Sequence, residues 1–252
     1  AALALLLRDT PLPGAEDIRA TVIVASGIVL MLAGLTVVGA AQDAIDGFAL
    51  TATGRILELI TQTLGVVLGI LAGLETARVV GAGMDVPNDS LPFGPLPLQF
   101  VGAALIAVSV TIYNGAGLRV VAVSVGLSVV AWAGYTAASG LGFETAAASG
   151  VGAFAGSLVG ILAAYRLHVP SVAITTAAIL PLVPGAAVFR GLLGVVESGS
   201  STALLLSGFT TLASAATVGI ALAVGASLGI YVGQPLRASL GTVIRARARE
   251  RS

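Results

Sequence analysis

Apolar runs of about twenty residues, parted by short polar breaks, recur along this chain. Such a run is what one helix needs to cross roughly 30 Å of hydrocarbon at a rise of about 1.5 Å per residue. Taking each run as a span places helices at about 20–41, 58–82, 97–114, 118–138, 145–166, 170–192 and 203–234. The breaks carry turn chemistry, as in "DTPLPGAEDIR" (9–19), "GMDVPNDSLPFGP" (83–95), "SGLGFET" (139–145) and "VESGSS" (196–201). The opening "AALALLLR" is too short to span, lacks the basic start of a secretory signal, and reads as the end of a cut helix. The expected fold is an all-α polytopic membrane protein with seven full transmembrane helices and a helix stub.

Charge supports a lipid solvent. Only 10% of the 252 residues are charged and 57% are hydrophobic, whereas a soluble domain carries about 25% charge. Net charge is zero, so no basic field exists to hold nucleic acid. Cysteine is absent, which removes disulfides, thiolate metal sites and thiol nucleophiles together. No phosphate loop, nucleophile elbow or metal-spaced His pair occurs. No cofactor, metal or enzyme activity is therefore expected, and His168, alone before Pro170, reads as a surface residue.

Orientation follows from placing Arg-rich segments in the cytoplasm. Arg237, Arg245, Arg247, Arg249 and Arg251 put the C-terminus inside, and counting spans backwards puts Arg55, Arg119 and Arg166 inside too. Arg8, Arg19 and Arg78 fall outside, each beside acids or a span end. Trp132 and Tyr135 read as interfacial anchors. Gly65, Gly69 and Gly73, Gly152, Gly156 and Gly160, and Gly225 and Gly229 have the spacing that lets helix backbones approach closely.

One span contains its own interruption, "ILPLVPGAAVFRG" (179–191). Proline removes the hydrogen bond to the carbonyl four residues earlier, so Pro181 frees Ala177 and Pro184 frees Leu180. In lipid such groups persist only against protein or a wet cavity. Gly185 permits a turn closed to other residues, and a half-helix starting there points free N–H groups and its positive dipole end inward. Secondary transporters hold carboxylates at such ends; an ordinary proline kink is the plain alternative. Arg190, about one and a half turns further on, pairs with a substrate carboxylate or protein acid, or else snorkels to the headgroups.

A second cluster is "AAQDAIDGFALTATGRILELI" (40–60). Asp43 and Asp46 are three apart, as are Arg55 and Glu58, so each pair shares a helical face. Carboxylates near an arginine at a membrane boundary serve proton coupling or a gate; a solvated loop with a cap at Thr51 or Thr53 also fits. Gln62, Gln99, Thr175 and Thr176 fit either a polar path or interhelical hydrogen bonds. The two clusters echo each other: superposing Gly34 on Gly185 also superposes Asp46 on Glu197. On the topology above their helices run in opposite directions, the pattern of inverted repeats. Five helices per repeat make residues 1–95 the end of one repeat, 96–235 the whole of the next and 236–252 a basic cytoplasmic tail, with two helices expected upstream.

"PLVPGAAVFRGL" (181–192) resembles the second-half signature of the threonine/serine exporter family, and "GLTVVGAAQDAIDGFALTATGRILELI" (34–60) resembles its first-half counterpart. The resemblance runs in order from about residue 30 to 235. It implies a ten-helix plasma-membrane exporter of small amino acids driven by the proton gradient, with a hydrophilic region ahead of the first helix. Related two-chain members are linked to dicarboxylate export. Pro181, Pro184, Gly185 and Arg190 match the second motif; Asp43, Gly47, Arg55 and Glu58 match the first. The family's first-half Pro-Gly is Ala33-Gly34 here, so the resemblance implies a first break that is softer or absent at Gly34.

The expected function is proton-coupled antiport of a small amino acid, its carboxylate held at Pro181, Pro184, Gly185, Arg190 and Gly34. Asp43, Asp46, Arg55 and Glu58 serve coupling or gating. Partners are the substrate, protons, the bilayer and, by size, a second copy of the chain. A non-transporting scaffold, a dicarboxylate exporter and a passive channel are the competing readings.

Overall fold

A computed structural model describes residues 34–45, 47–79, 94–167, 178–199 and 201–249. Seven α-helices and one 3₁₀ turn are present among them: α1 (Gly34–Ile45), α2 (Ala49–Val79), α3 (Leu96–Tyr113), α4 (Leu118–Gly140), α5 (Thr145–Leu167), the turn Leu180–Leu182, α6 (Gly185–Glu197) and α7 (Thr202–Arg249). No strand occurs among the described residues. Among the described residues four helices are long and apolar enough to cross a membrane: Leu96–Tyr113, Leu118–Gly140, Thr145–Ala164 and Thr202–Pro235. The runs expected at 20–41, 58–82 and 170–192 fall partly outside the described residues, and the stub lies wholly outside them.

Helix ends follow local chemistry. At the end of α1, Phe48 N–H donates to Asp43 O at 2.7 Å and Gly47 N–H to Ala44 O at 3.3 Å. This pair of bonds closes a helix when the residue after its cap is left-handed, and Gly47 has φ +86°. Any other residue would bring its Cβ against the neighbouring carbonyl. The same bonds close α3 at Gly115 and α4 at Gly142. α3 begins on Pro95, with a second proline in its first turn, where no N–H partner is needed.

The described residues form two compact units. One contains 41–45, 47–49, 94–167, 178–183 and 217–249. Here α3 packs on α4 and α4 on α5, while the 3₁₀ turn packs against all three. Burial is reversed relative to a water-soluble core. Ala103, Ala107, Ala131, Ala148, Ala153 and Ala226 are buried, whereas Leu98, Leu105, Ile112, Ile220 and Leu228 are exposed. Exposed large side chains are costly in water and cost nothing in hydrocarbon, where small residues instead let backbones meet. The fold is thus that of a multi-pass membrane protein.

Close approach in this unit is direct. A Cβ on Gly152 would stand 2.6 Å from Ala131 O, and one on Gly229 would stand 2.6 Å from Phe154 O. Gly65, Gly69 and Gly73 have the same spacing, yet a Cβ on any of them would meet nothing within 4 Å; spacing alone does not choose the contact. Ser128 Oγ ties α4 to α3 by donating to Ala103 O at 2.9 Å. Trp132, expected at the interface, is buried at 7% exposure and stacks at 5.1 Å on Tyr135. Its α4 face looks into the bundle rather than toward headgroups.

The other unit contains 34–40, 50–79 and 184–216, apart from residue 200. In it α6 lies on the first turns of α7: a Cβ on Gly191 would stand 2.7 Å from Leu212 Cγ, and one on Gly208 would stand 2.7 Å from Val195 N. α7 runs on through Pro235 to Arg249, past the apolar run that ends near 234.

Candidate functional site

The second motif changes backbone type within a few residues. Ala178 and Ile179 are helical, Leu180–Leu182 form the 3₁₀ turn, and Val183 is extended at φ −67°, ψ 128°. Pro184, at φ −79° and ψ 48°, is the N-cap of α6, which begins at Gly185. Leu182 is buried, and its Cδ1 would stand 2.9 Å from a Cβ on Gly152, so α5 anchors the turn through a missing side chain.

The Leu180 carbonyl, which the loss of the Pro184 N–H was expected to leave open, accepts from Val183 N–H at 3.1 Å. A three-residue turn replaces the four-residue bond that proline forbids. Ala177 lies outside the described residues. The donor side differs. Val188 N–H donates to Pro184 O at 3.0 Å as the first bond of α6. The amides of Gly185, Ala186 and Ala187 precede it, and no side chain caps them. Gly185 is buried, while Pro184 and Arg190 are half-buried. α6 therefore presents a positive end, with a permanent cation one and a half turns along.

The first motif lies at the α1–α2 connection. Asp43 is half-buried in the last turn of α1, and Asp46 lies outside the described residues. Arg55 and Glu58 are exposed on α2, and Glu58 Oε1 accepts from Gln62 Nε2 at 3.1 Å. Gly34 is the first described residue of α1, with Ala33 outside the described residues. Thus Arg55 and Glu58 share a helix with Gln62, whereas Pro184, Gly185 and Arg190 share α6.

Two features escape sequence reading. The guanidinium of Arg55 occupies the place a Cβ on Gly39 would take. Both residues lie eight positions from Gly47, and in a helical hairpin residues equidistant from the turn come level; the left-handed Gly47 was the available signal. The second feature is a pair of hydroxyls, Ser124 Oγ and Ser157 Oγ, which are buried without a hydrogen-bond partner. No local pattern marks these two among the serines. No group of three or more His, Cys, Asp or Glu able to hold a metal occurs among the described residues.

Comparison with known proteins gives a consistent result. The family model described as "Threonine/Serine exporter, ThrE" matches residues 99–232, and a second threonine/serine exporter model matches residues 1–77. A Mycobacterium tuberculosis (strain ATCC 25618 / H37Rv) protein named "Probable threonine/serine exporter" is 35% identical over 233 residues, covering 88% of this chain and 43% of the relative. The "Threonine/serine exporter" of Corynebacterium glutamicum is 32% identical over 235 residues, covering 88% and 44%. The chain thus spans under half the length of these curated relatives. No solved structure matches.

Proposed function

Because the chain belongs to the threonine/serine exporter family, a family of transporters rather than enzymes, we propose that it exports a small amino acid such as threonine or serine across the plasma membrane. The observation that carries this reading is the start of α6: three amides ahead of the first helix bond, no side-chain cap, and Arg190 further along the same helix. A zwitterionic substrate brings one carboxylate, and helix amides plus a guanidinium are the groups that bind it without chemical change.

Pro181 and Pro184 interrupt a membrane span, and Gly185 starts its second half. Side chains on a helix lean toward its N-terminus. The stem of Arg190 is long enough to reach back about one turn, to the level of the Ala186 and Ala187 amides. A charge-assisted bond from Arg190 and amide bonds from the helix end together share the carboxylate's oxygens. Gly34 supplies a weaker counterpart in an inverted first repeat.

The same reading gives Asp43, Asp46, Arg55 and Glu58 the work of coupling. Carboxylates that exchange protons with the cytoplasm let proton entry drive amino-acid exit. The basic tail holds the C-terminus on the cytoplasmic side, seven spans cross the bilayer, and a second copy of the chain is an admissible partner.

The test is threonine efflux from proteoliposomes loaded with substrate, with and without an imposed proton gradient. Proton-coupled export predicts gradient-dependent efflux that Pro184→Leu and Arg190→Ala each impair. Wild-type efflux by both variants rejects the site. Flux indifferent to the gradient favours a channel, and no flux favours a scaffold.

A further inference from the structure

We propose that Gly39 is a positioning residue for Arg55: the bare Cα at 39 is the seat on which the guanidinium rests. This deepens the coupling cluster proposed above and rests on Arg55 acting there. A Cβ built at Gly39 falls on Arg55 Nη1, 3.2 Å from Cζ and 3.7 Å from Cδ. The stem as well as the head of the arginine therefore lies along α1 at this level.

Small residues around the seat make the approach possible. Ala40 on α1 is 5% exposed, and Ala52, one turn before Arg55 on α2, is 4% exposed, although its neighbours Thr51 and Thr53 are exposed. The 52–55 face of α2 is thus the face turned inward, and Arg55 extends from its edge. With no side chain at 39, a permanent cation lies against backbone instead of swinging on a four-bond stem.

The kind of obstacle decides what a side chain here would do. At Gly225 or Gly229 a Cβ meets a backbone carbonyl, which moves only if two helices separate. At Gly39 it meets the tip of a flexible side chain. An alanine at this position displaces the charge and leaves the helices where they are, so its effect falls on transport rather than on folding. That separation distinguishes a seat from an ordinary packing glycine.

Two measurements test it, one of them independent of transport. The chain has no cysteine, so Gly39→Cys introduces a single reporter; its Cβ shifts the guanidinium aside by about the width of a methylene but leaves it against the sulfur, and a thiol beside a guanidinium ionises more readily. Its alkylation at neutral pH is expected to be at least about threefold faster with Arg55 than in the Arg55→Gln background. Equal rates overturn the seat. In proteoliposomes, Gly39→Ala is expected to lower threonine efflux about tenfold with an unchanged Tm, and to add nothing in the Arg55→Gln background, as coupled neighbours do. Losses that multiply, or wild-type efflux by Gly39→Ala while Arg55→Gln is impaired, overturn the positioning role. Wild-type efflux by both variants overturns the coupling role of Arg55 instead, and the thiol rates then decide the seat.

Discussion

The carbonyl oxygen of Gly150 on α5 fills the space that a Cβ on Gly225 of α7 would need. Backbone meets backbone there, and neither partner has a side chain to move. Gly225→Ala is expected to destabilise the protein by about 1–3 kcal/mol, the usual penalty of overpacking. Gly69→Ala, chemically the same change, meets nothing within 4 Å. It is expected to be neutral or stabilising by up to about 1 kcal/mol, because glycine is a poor helix former. Reversible unfolding in mixed micelles compares the two; equal losses would contradict the packing described.

Serines on α4 and α5 give an internal control for polarity. Ser128 makes a buried interhelical bond to Ala103 O, whereas Ser124 and Ser157 bury hydroxyls without a partner. Ser128→Ala is expected to cost about 0.6 kcal/mol, typical of hydrogen bonds between membrane helices. Ser124→Ala and Ser157→Ala remove an unsatisfied group and are expected to be neutral or stabilising. The same unfolding assay ranks all three, and a loss at Ser124 as large as that at Ser128 contradicts the assignment.

The turn between α1 and α2 depends on one left-handed residue. Gly47→Ala is expected to lose about 1–2 kcal/mol, and Gly47→Asn distinctly less, because asparagine tolerates that conformation. A lowered unfolding midpoint for alanine with partial recovery for asparagine is the expected pattern. Identical midpoints for both substitutions would mean that the turn does not hold α1 closed.

Arg190 offers a graded test of charge recognition. Removing one charge-assisted hydrogen bond costs about 1.5–3 kcal/mol, so Arg190→Ala is expected to raise the KM for threonine by roughly tenfold to a hundredfold. Arg190→Lys keeps the charge without the planar fork and falls between. Steady-state efflux over a substrate series measures both, and an unchanged KM for Arg190→Ala removes the residue from the site.

The limits of α3, α4 and α5 were legible because Pro95, Gly115, Gly142 and their neighbours stop or start helices by local chemistry. α2 begins at Ala49 rather than near 58. The apolar run starts after Arg55 and Glu58, but a helix begins where its backbone bonds can begin, and that is set by Gly47. α7 outruns its apolar stretch for the same reason: the loss of hydrophobicity after Pro235 does not end a helix. At the candidate site, Pro184 and Gly185 announced the start of α6. The bond from Val183 to Leu180 was hidden because proline chemistry predicts a lost bond and not its replacement. Gly39 was hidden because its meaning lies sixteen residues away, on Arg55.

Counterflow of labelled threonine in proteoliposomes, against excess unlabelled threonine or its carboxamide, tests most directly whether the α6 end binds a carboxylate. Threonine is expected to drive counterflow and the carboxamide to fail, because it keeps the amine and hydroxyl but lacks the anion that amides and Arg190 recognise. Equal counterflow with the carboxamide would contradict the account.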